Sequence, residues 1–230
     1  MKYQDKNFKY TDAEAYDKRG ESSILENYVL DLWQPFLKKV IGSLSNGQVV
    51  VDLGCGTCEY AQAAGNAKKI YAVDIAEPML KICREKLRNF PQAEIINASV
   101  ADVSLPLADL VVTIGVWEYV RPDILFNKIK EITRKDSKVI VVFPNIYNDL
   151  NWMRSLGKMK TAALMPGVVK KLFRNDFVMI DSASFGAVFW FPKKLQFLAK
   201  PIWKLWDLLW KPFQKFFPAG VNIYYLFERK

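Results

Sequence analysis

The sequence predicts an α/β fold in which a mostly parallel sheet carries helices on both faces. Two observations lead there. Apolar, β-branched runs alternate with helical spacing from residue 48 to residue 143, the rhythm of strand–helix–strand crossovers. One of those runs, Val49-Val50-Val51-Asp52-Leu53, passes straight into the glycine turn Gly54-Cys55-Gly56-Thr57-Cys58, the local pattern of a strand entering a ligand-binding loop. A length of 230 residues suits one domain and allows two small ones.

The elements follow in order. Residues 13–19 and 24–41 have helical spacing, the second with Leu25, Val29, Leu32, Phe36, Leu37 and Val40 at apolar positions, and Gly42 with the cluster 43–47 ends it. Residues 48–53 are a buried strand, 60–65 a short helix and 69–73 a strand. Residues 78–90 are helical, with Pro78 placed in a first turn. Strands at 94–97, 109–114 and 138–143 follow, with a helix at 123–134. After Pro144 the rhythm changes to helices at 148–158 and 167–173, a long strand at 177–191, a basic aromatic helix at 192–217 and a last strand at 221–227. The expected organisation is one domain over 1–230. Within it lie a helical arm or lid (1–46), a ligand-binding core (48–145), a helical insertion (146–176) and final strands (177–230) that enclose a basic aromatic insertion (192–218).

Composition removes several function classes. Hydrophobic residues at 51% and charged residues at 25% are a globular balance, not that of a disordered chain. Apolar runs such as 185–192 are far short of the roughly 20 residues that cross a bilayer. Residues 1–10 are polar and charged rather than a signal segment, so the expected location is cytoplasmic. With no histidine, His-based triads, His metal sites and imidazole proton shuttles are excluded. Three cysteines argue against a disulfide scaffold and fit a reducing compartment.

The net charge of +9 is local. Residues 151–217 hold 12 lysines and arginines against three aspartates, and the remainder of the chain is balanced. A basic region of this kind points to an anionic partner or to a solvated lysine face. Between 192 and 217, Leu195, Leu198, Ile202, Leu205, Trp206, Leu209, Phe213 and Phe216 recur at helical spacing. Lys200, Lys204, Asp207, Lys211 and Lys215 recur on the opposite side, and Trp203 and Trp210 widen the apolar one. That arrangement fits a helix lying in an anionic membrane surface and equally a lid over the sheet. Aromatics segregated from lysines, without an RNA-binding motif, make nucleic acid the weaker partner.

The glycine turn is the sharpest local signal. A dinucleotide site reads Gly-x-Gly-x-x-Gly, but the sixth position here is Glu59, whose charge opposes a pyrophosphate, and no P-loop Lys-Ser/Thr follows. Cys55 and Cys58 form a Cys-x-x-Cys where a strand meets a helix, the place of a thioredoxin-like redox pair. Asp52 beside them opposes thiolate formation, and with only Cys83 in addition a zinc site lacks ligands. Two more acids close strands: Asp74, 22 residues after Asp52, and Asp102 in Ala101-Asp102-Val103. A carboxylate on the edge of the second strand can accept both hydroxyls of a ribose. Three strand-end carboxylates suit a ligand with a ribose, an exocyclic amine and positive charge.

In this order and spacing, Val-Asp-Leu-Gly-Cys-Gly-Thr, Val-Asp-Ile-Ala-Glu-Pro-Met-Leu, Ala-Asp-Val, Asp109-Leu-Val-Val-Thr-Ile-Gly-Val-Trp-Glu-Tyr-Val and Lys138-Val-Ile-Val-Val-Phe-Pro-Asn resemble the core of class I S-adenosylmethionine-dependent methyltransferases over residues 48–145. The resemblance implies a Rossmann-like seven-stranded sheet with the last strand antiparallel, S-adenosylmethionine as cofactor, S-adenosylhomocysteine as product and no metal. It implies that Gly54, Cys55 and Gly56 pass under the methionine part and that Asp52 supports its ammonium. Asp74 would hold the ribose, Ile75 and Met79 the adenine, and Ala101, Asp102 and the Val103 N–H the adenine edge. Gly115, Val116 and Trp117 would close the pocket near the methyl group, with Tyr16 as a lid tyrosine and Arg19 reaching the cofactor carboxylate.

Two departures from the family pattern stand out. Cys58 occupies the place of a third glycine, and Glu118-Tyr119 replaces a Glu-His. Methyl transfer has a good leaving group, so positioning supplies much of its acceleration. Where a base is needed, Tyr119 and Glu118 are the candidates by place, and Asn145 and Asp149 are placed to orient an acceptor. The expected acceptor is a small or lipid-like molecule, met at a membrane surface if residues 192–218 dock there. An RNA methyltransferase, a redox protein using Cys55 and Cys58, and a non-catalytic cofactor-binding module are the alternatives; acceptor atom and oligomeric state stay open.

Overall fold

Seven strands form one sheet: β1 (Val49–Leu53), β2 (Lys69–Asp74), β3 (Ala93–Asn97), β4 (Ala108–Ile114), β5 (Thr133–Pro144), β6 (Phe177–Phe185) and β7 (Asn222–Arg229). Their order is β3-β2-β1-β4-β5-β7-β6, with β7 antiparallel to both β5 and β6 and the first five strands parallel. This is the Rossmann-like seven-stranded sheet that the resemblance implies. The structure, a computed structural model, describes residues 12–19, 24–148, 164–189, 198–213 and 218–230.

Strand periodicity sorts the core into two halves. Val50 and Ile70 face a cluster built with Leu37 and Ile41 of helix α2 (Ile24–Ser45) and Leu80 of α3 (Glu77–Lys86). Val51 and Leu53 face the opposite cluster, built with Leu125, Phe126 and Ile129 of α4 (Pro122–Ile132) and Phe173 of α5 (Pro166–Phe173). Alternate residues of a strand thus enter opposite halves, which requires strands apolar on both faces. Helices α3, α4 and α5 each begin with a proline in the first turn, where its missing N–H leaves no bond unmade. The short arm α1 (Ala13–Asp17) is capped by the Asp12 carboxylate, which accepts from Ala15 N at 2.9 Å.

The late region departs from expectation. The strand expected over 177–191 stops at Phe185, because Gly186 adopts φ +68° and turns the chain away. The short helix at 60–65 is a single 3₁₀ turn, Ala61–Ala64. Most of the helix expected at 148–158, the flanks 190–197 and 214–217 of the aromatic insertion, and residues 1–11 lie outside the described residues. Helix α6 (Ala199–Trp210) docks through Ala199, Trp203 and Asp207, spaced four apart on one face. Trp203 packs on Tyr28 of α2 at 5.7 Å between ring centroids. The Asp207 carboxylate accepts from Tyr28 Oη at 2.6 Å and from Ala187 N at 2.7 Å. Asp207, assigned by spacing to the solvent face, is therefore the polar anchor. Leu205, Trp206, Leu208 and Leu209 point outward with 58%, 42%, 67% and 59% of their surface exposed. Among the described residues, no helix is long and apolar enough to cross a membrane.

Phe173 is the keystone of the α4–α5 half. Fully buried, it stacks on Phe227 at 4.2 Å and meets Phe126 at 4.9 Å and Phe177 at 5.0 Å. Phe173→Ala is expected to cost about 3–5 kcal/mol of unfolding free energy, read from the shift of the urea midpoint.

Candidate active site

The loop after β1 leads toward β2 and the loop after β4 toward β5, so the two part in opposite directions and leave a crevice at the carboxyl edge of the sheet. At its floor the loops nearly touch. Gly54 takes φ +75°, and a Cβ there would stand 2.7 Å from Val116 Cγ2. The turn is held by Gly54 N and Cys55 N, which both donate to Val73 O at 2.8 and 3.0 Å. The Asp74 carboxylate accepts from Gly56 N and Ala76 N, each at 2.8 Å.

A cavity of about 520 Å³ opens above this floor. Among the residues singled out from the sequence, Tyr16, Arg19, Asp52, Gly54, Cys55, Gly56, Asp74, Ile75, Met79, Ala101, Gly115, Val116, Glu118 and Tyr119 line it. Four others do not. Trp117 is fully buried in the core, its Nε1 donating to Thr113 Oγ1 at 2.9 Å. Asp102 is exposed beside the cavity, and Val103 N donates to Ser99 O at 3.0 Å, so that N–H faces its own tight turn rather than the cleft. Ser99 and Val100 stand at the wall instead. Asn145 is a buried clamp: Nδ2 donates to Pro218 O at 2.7 Å and Gly220 O at 3.0 Å, while Oδ1 accepts from Tyr147 N at 3.1 Å. Asp149 lies outside the described residues.

Sequence reasoning missed one wall. Leu25, Glu26, Val29, Leu30 and Trp33 of α2 line the cavity, joined by Ile124, Pro144, Val221 and Asn222. The helical periodicity of α2 was visible, but periodicity alone does not say which part of an apolar stripe meets the sheet and which meets a void. Helix α6 contributes no lining residue; it sits on α2, behind the wall, and is not a lid over the cavity.

Three carboxylates share this space with little compensation. Burial, then the charge of Asp74, pushes the Asp52 carboxyl up to about 7. Burial also raises Asp74, against which its bonds from Ala76 and Gly56 N–H work. Burial pushes Glu118 to about 7, and its Oε2 has no hydrogen-bond partner. Arg19 stands at the mouth, its guanidinium 4.1 Å from the Tyr16 ring centroid and donating to Tyr16 O at 2.9 Å. The arm is pinned by Asp17, which accepts from Thr57 Oγ1 and Lys86 Nζ, both at 2.6 Å. Glu59 pairs with Lys86 at 3.0 Å and with Lys38.

The cysteines differ from expectation. Cys58 is bonded to Cys83, and Cys55 is free and buried, so the Cys-x-x-Cys is not itself the bonded pair. Cys58 holds φ +60°, the left-handed conformation that a glycine adopts without strain.

Comparison with known proteins agrees with the fold and the cleft. Residues 51–141 match the family model of a methyltransferase domain. A demethylmenaquinone methyltransferase of Lysinibacillus sphaericus is 26% identical over 138 residues, 57% of this chain and 58% of that protein, so the chain spans well under two thirds of that relative. A Haloferax volcanii methyltransferase, solved in complex with its activator, aligns with a TM-score of 0.67 at 13% identity over 99% of each chain. Magnesium protoporphyrin IX methyltransferase from Synechocystis, solved with S-adenosylhomocysteine, aligns at 0.63 and 13% identity over 95% of this chain and 96% of its own. Residues 51–141 thus match a methyltransferase domain, and the fold is one shared with methyltransferases solved with S-adenosylhomocysteine, the product of S-adenosylmethionine as cofactor. The residues present fit that cofactor: a side-chain-free floor at Gly54, and buried carboxylates short of a cation.

Two outcomes are expected. Asp52 and Glu118 have folded pKa values raised above those of the unfolded chain. Their contribution is therefore full in acid and lost as pH rises toward about 7. Asp52→Asn should melt above the ligand-free wild type by a margin that widens from about pH 4 to about pH 7 and is level above; thermal melts across that range check it. Gly54→Ala places a methyl group against Val116, and calorimetry should show S-adenosylhomocysteine affinity lowered by about 10-fold or more.

Proposed function

We propose that the protein transfers a methyl group to an apolar, quinone-like or otherwise lipid-like acceptor. The observation that carries this reading is the apolar part of the cavity lining. Leu25, Val29, Leu30, Trp33, Ile124 and Val221 contribute to it, and Glu118 is buried in the same wall with an oxygen that has no hydrogen-bond partner. Such a pocket accepts a flat hydrophobic ring with a single hydroxyl better than a sugar or a charged metabolite, whose polar groups would go unpaired. The name of the Lysinibacillus relative, a demethylmenaquinone methyltransferase, points the same way.

When bound, S-adenosylmethionine supplies an electrophilic methyl group on a positively charged sulfur. The chain's own residues do the rest. Asp52 sits where it meets the ammonium group, and the free acceptor capacity of the Asp74 carboxylate meets the ribose hydroxyls. Ile75, Met79 and the Ser99–Ala101 turn form the adenine slot. The Tyr16–Arg19 arm covers the methionine end and excludes water. Glu118 Oε2 takes the proton of the acceptor hydroxyl; a pKa near 7 matches that task at neutral pH. Tyr119, half-buried on the same turn, packs against the acceptor.

The outward face of α6 supports a membrane role within this reading. Leu205, Leu208, Leu209 and Phe213 are exposed beside Lys200, Lys204 and Lys211, in the stretch that carries the whole positive surplus. Exposed leucines among lysines bind an anionic bilayer by burying apolar area and by attraction to lipid charge. A protein docked this way takes a lipid acceptor directly from the bilayer.

Label transfer from methyl-labelled S-adenosylmethionine into a total lipid extract tests the acceptor. Label entering a quinone-type lipid supports the reading, and label confined to RNA, protein or water-soluble products sinks it. Glu118→Gln should lower turnover of a hydroxyl acceptor by about 10²–10⁴-fold while leaving S-adenosylhomocysteine binding near wild type. Replacing both Leu208 and Leu209 by Glu should abolish sedimentation with anionic vesicles without changing the melting temperature.

A further inference from the structure

Three sulfur atoms meet behind the glycine turn. The Sγ atoms of Cys55, Cys58 and Cys83 all lie within 4.8 Å of one another. Cys58 and Cys83, 25 residues apart, are bonded and fully buried, whereas the free Cys55 lines the cofactor cavity. The fold makes this meeting. Cys58 closes the turn that follows β1, with its N–H donating to Cys55 O at 2.9 Å. Cys83 is on α3, whose first turn brings Met79 to the same cavity. The bond therefore ties together two walls of the cleft, and its nearest thiol faces the ligand space.

We propose that Cys55, Cys58 and Cys83 form a thiol–disulfide relay that opens into the cofactor cleft, so that a bound cofactor shields the Cys58–Cys83 bond from reduction. The proposal rests on the cleft being the cofactor site. In the first step the Cys55 sulfur, as thiolate, attacks Cys58 Sγ. A Cys55–Cys58 bond forms, the Cys58–Cys83 bond breaks, and Cys83 leaves as a thiolate that takes up the proton Cys55 released; no electrons are gained or lost. In the second step a small dithiol in the cleft attacks Cys55 Sγ and displaces Cys58. Its second thiol then displaces Cys55, leaving three protein thiols and an oxidised, cyclic disulfide; both electrons and both protons come from the dithiol. Cys58 and Cys83 have no exposed surface, so Cys55 is the way in. Burial, then the charges of Asp52 and Asp74, pushes the Cys55 thiol well above its ordinary value, which makes entry slow.

The test uses the intact, unreduced chain. Graded exposure to dithiothreitol, with and without saturating S-adenosylhomocysteine, is followed by iodoacetamide trapping and peptide mapping, and ligand binding is measured separately by calorimetry. Expected are Cys55 as the single free thiol at the start, a Cys55–Cys58 species during reduction, and reduction slowed about 10-fold or more both by the ligand and by Cys55→Ala. Three free thiols at the start, equal reduction rates in wild type and Cys55→Ala, or no protection by a ligand that calorimetry shows bound would each overturn the relay. Absence of binding by calorimetry would instead overturn the cofactor reading of the cleft, while the wild-type against Cys55→Ala comparison still decides the exchange. Should Cys55→Ala fail to fold, Cys55→Ser replaces it in the same comparison.

Discussion

The contact between Gly54 and Val116 is the constraint on which the rest of the structure depends. Two loops leaving adjacent parallel strands in opposite directions approach so closely that residue 54 has no room for a side chain beside that of Val116. Because Gly54 carries no side chain, the residues at the ends of the two strands line the cleft above it: Asp52 and Cys55 from one side, Gly115, Glu118 and Tyr119 from the other. The two-sided burial of β1 and β4 makes the approach rigid, since neither strand can shift without moving residues in both halves of the core.

That rigidity allows the cleft to hold carboxylates where water would otherwise be required. Asp52, Asp74 and Glu118 are all displaced toward the protonated form, with burial the first cause in each case. A cleft of this character is matched to a cation and mismatched to a phosphate, the electrostatic counterpart of a methyl donor carrying a sulfonium and an ammonium group. Glu118 Oε2 is buried with no hydrogen-bond partner, whereas the Asp74 carboxylate accepts from two backbone N–H groups.

Away from the cleft, the late region combines a tethered and an exposed surface in one helix. Trp203 and Asp207 fix α6 to α2, and the remaining turns present leucines and tryptophans to solvent. The outward leucines keep more than half of their surface in water, and a partner surface can recover part of that burial. Since α2 is also a wall of the cavity, the same helix joins α6 to the cleft.

The sequence by itself determined the parallel core and the edge of the sheet that carries the cleft. Strand runs apolar on both faces, the Asp52–Gly56 turn and the acid ending β2 are local patterns, and local patterns survive without knowledge of packing. It also placed Glu118 and Tyr119 correctly after β4, because they follow the strand within a few residues. Tertiary structure alone decided the remainder. Trp117 and Asn145 sit at plausible site positions in the chain, yet core packing on Thr113 and bonds to Pro218 and Gly220 claim them. Cys83 is distant in sequence and in contact in space, so a Cys-x-x-Cys became a bond across two elements. The apolar stripe of α6 pointed outward instead of inward, since hydrophobic periodicity defines a face but only the neighbouring helix defines which face is covered.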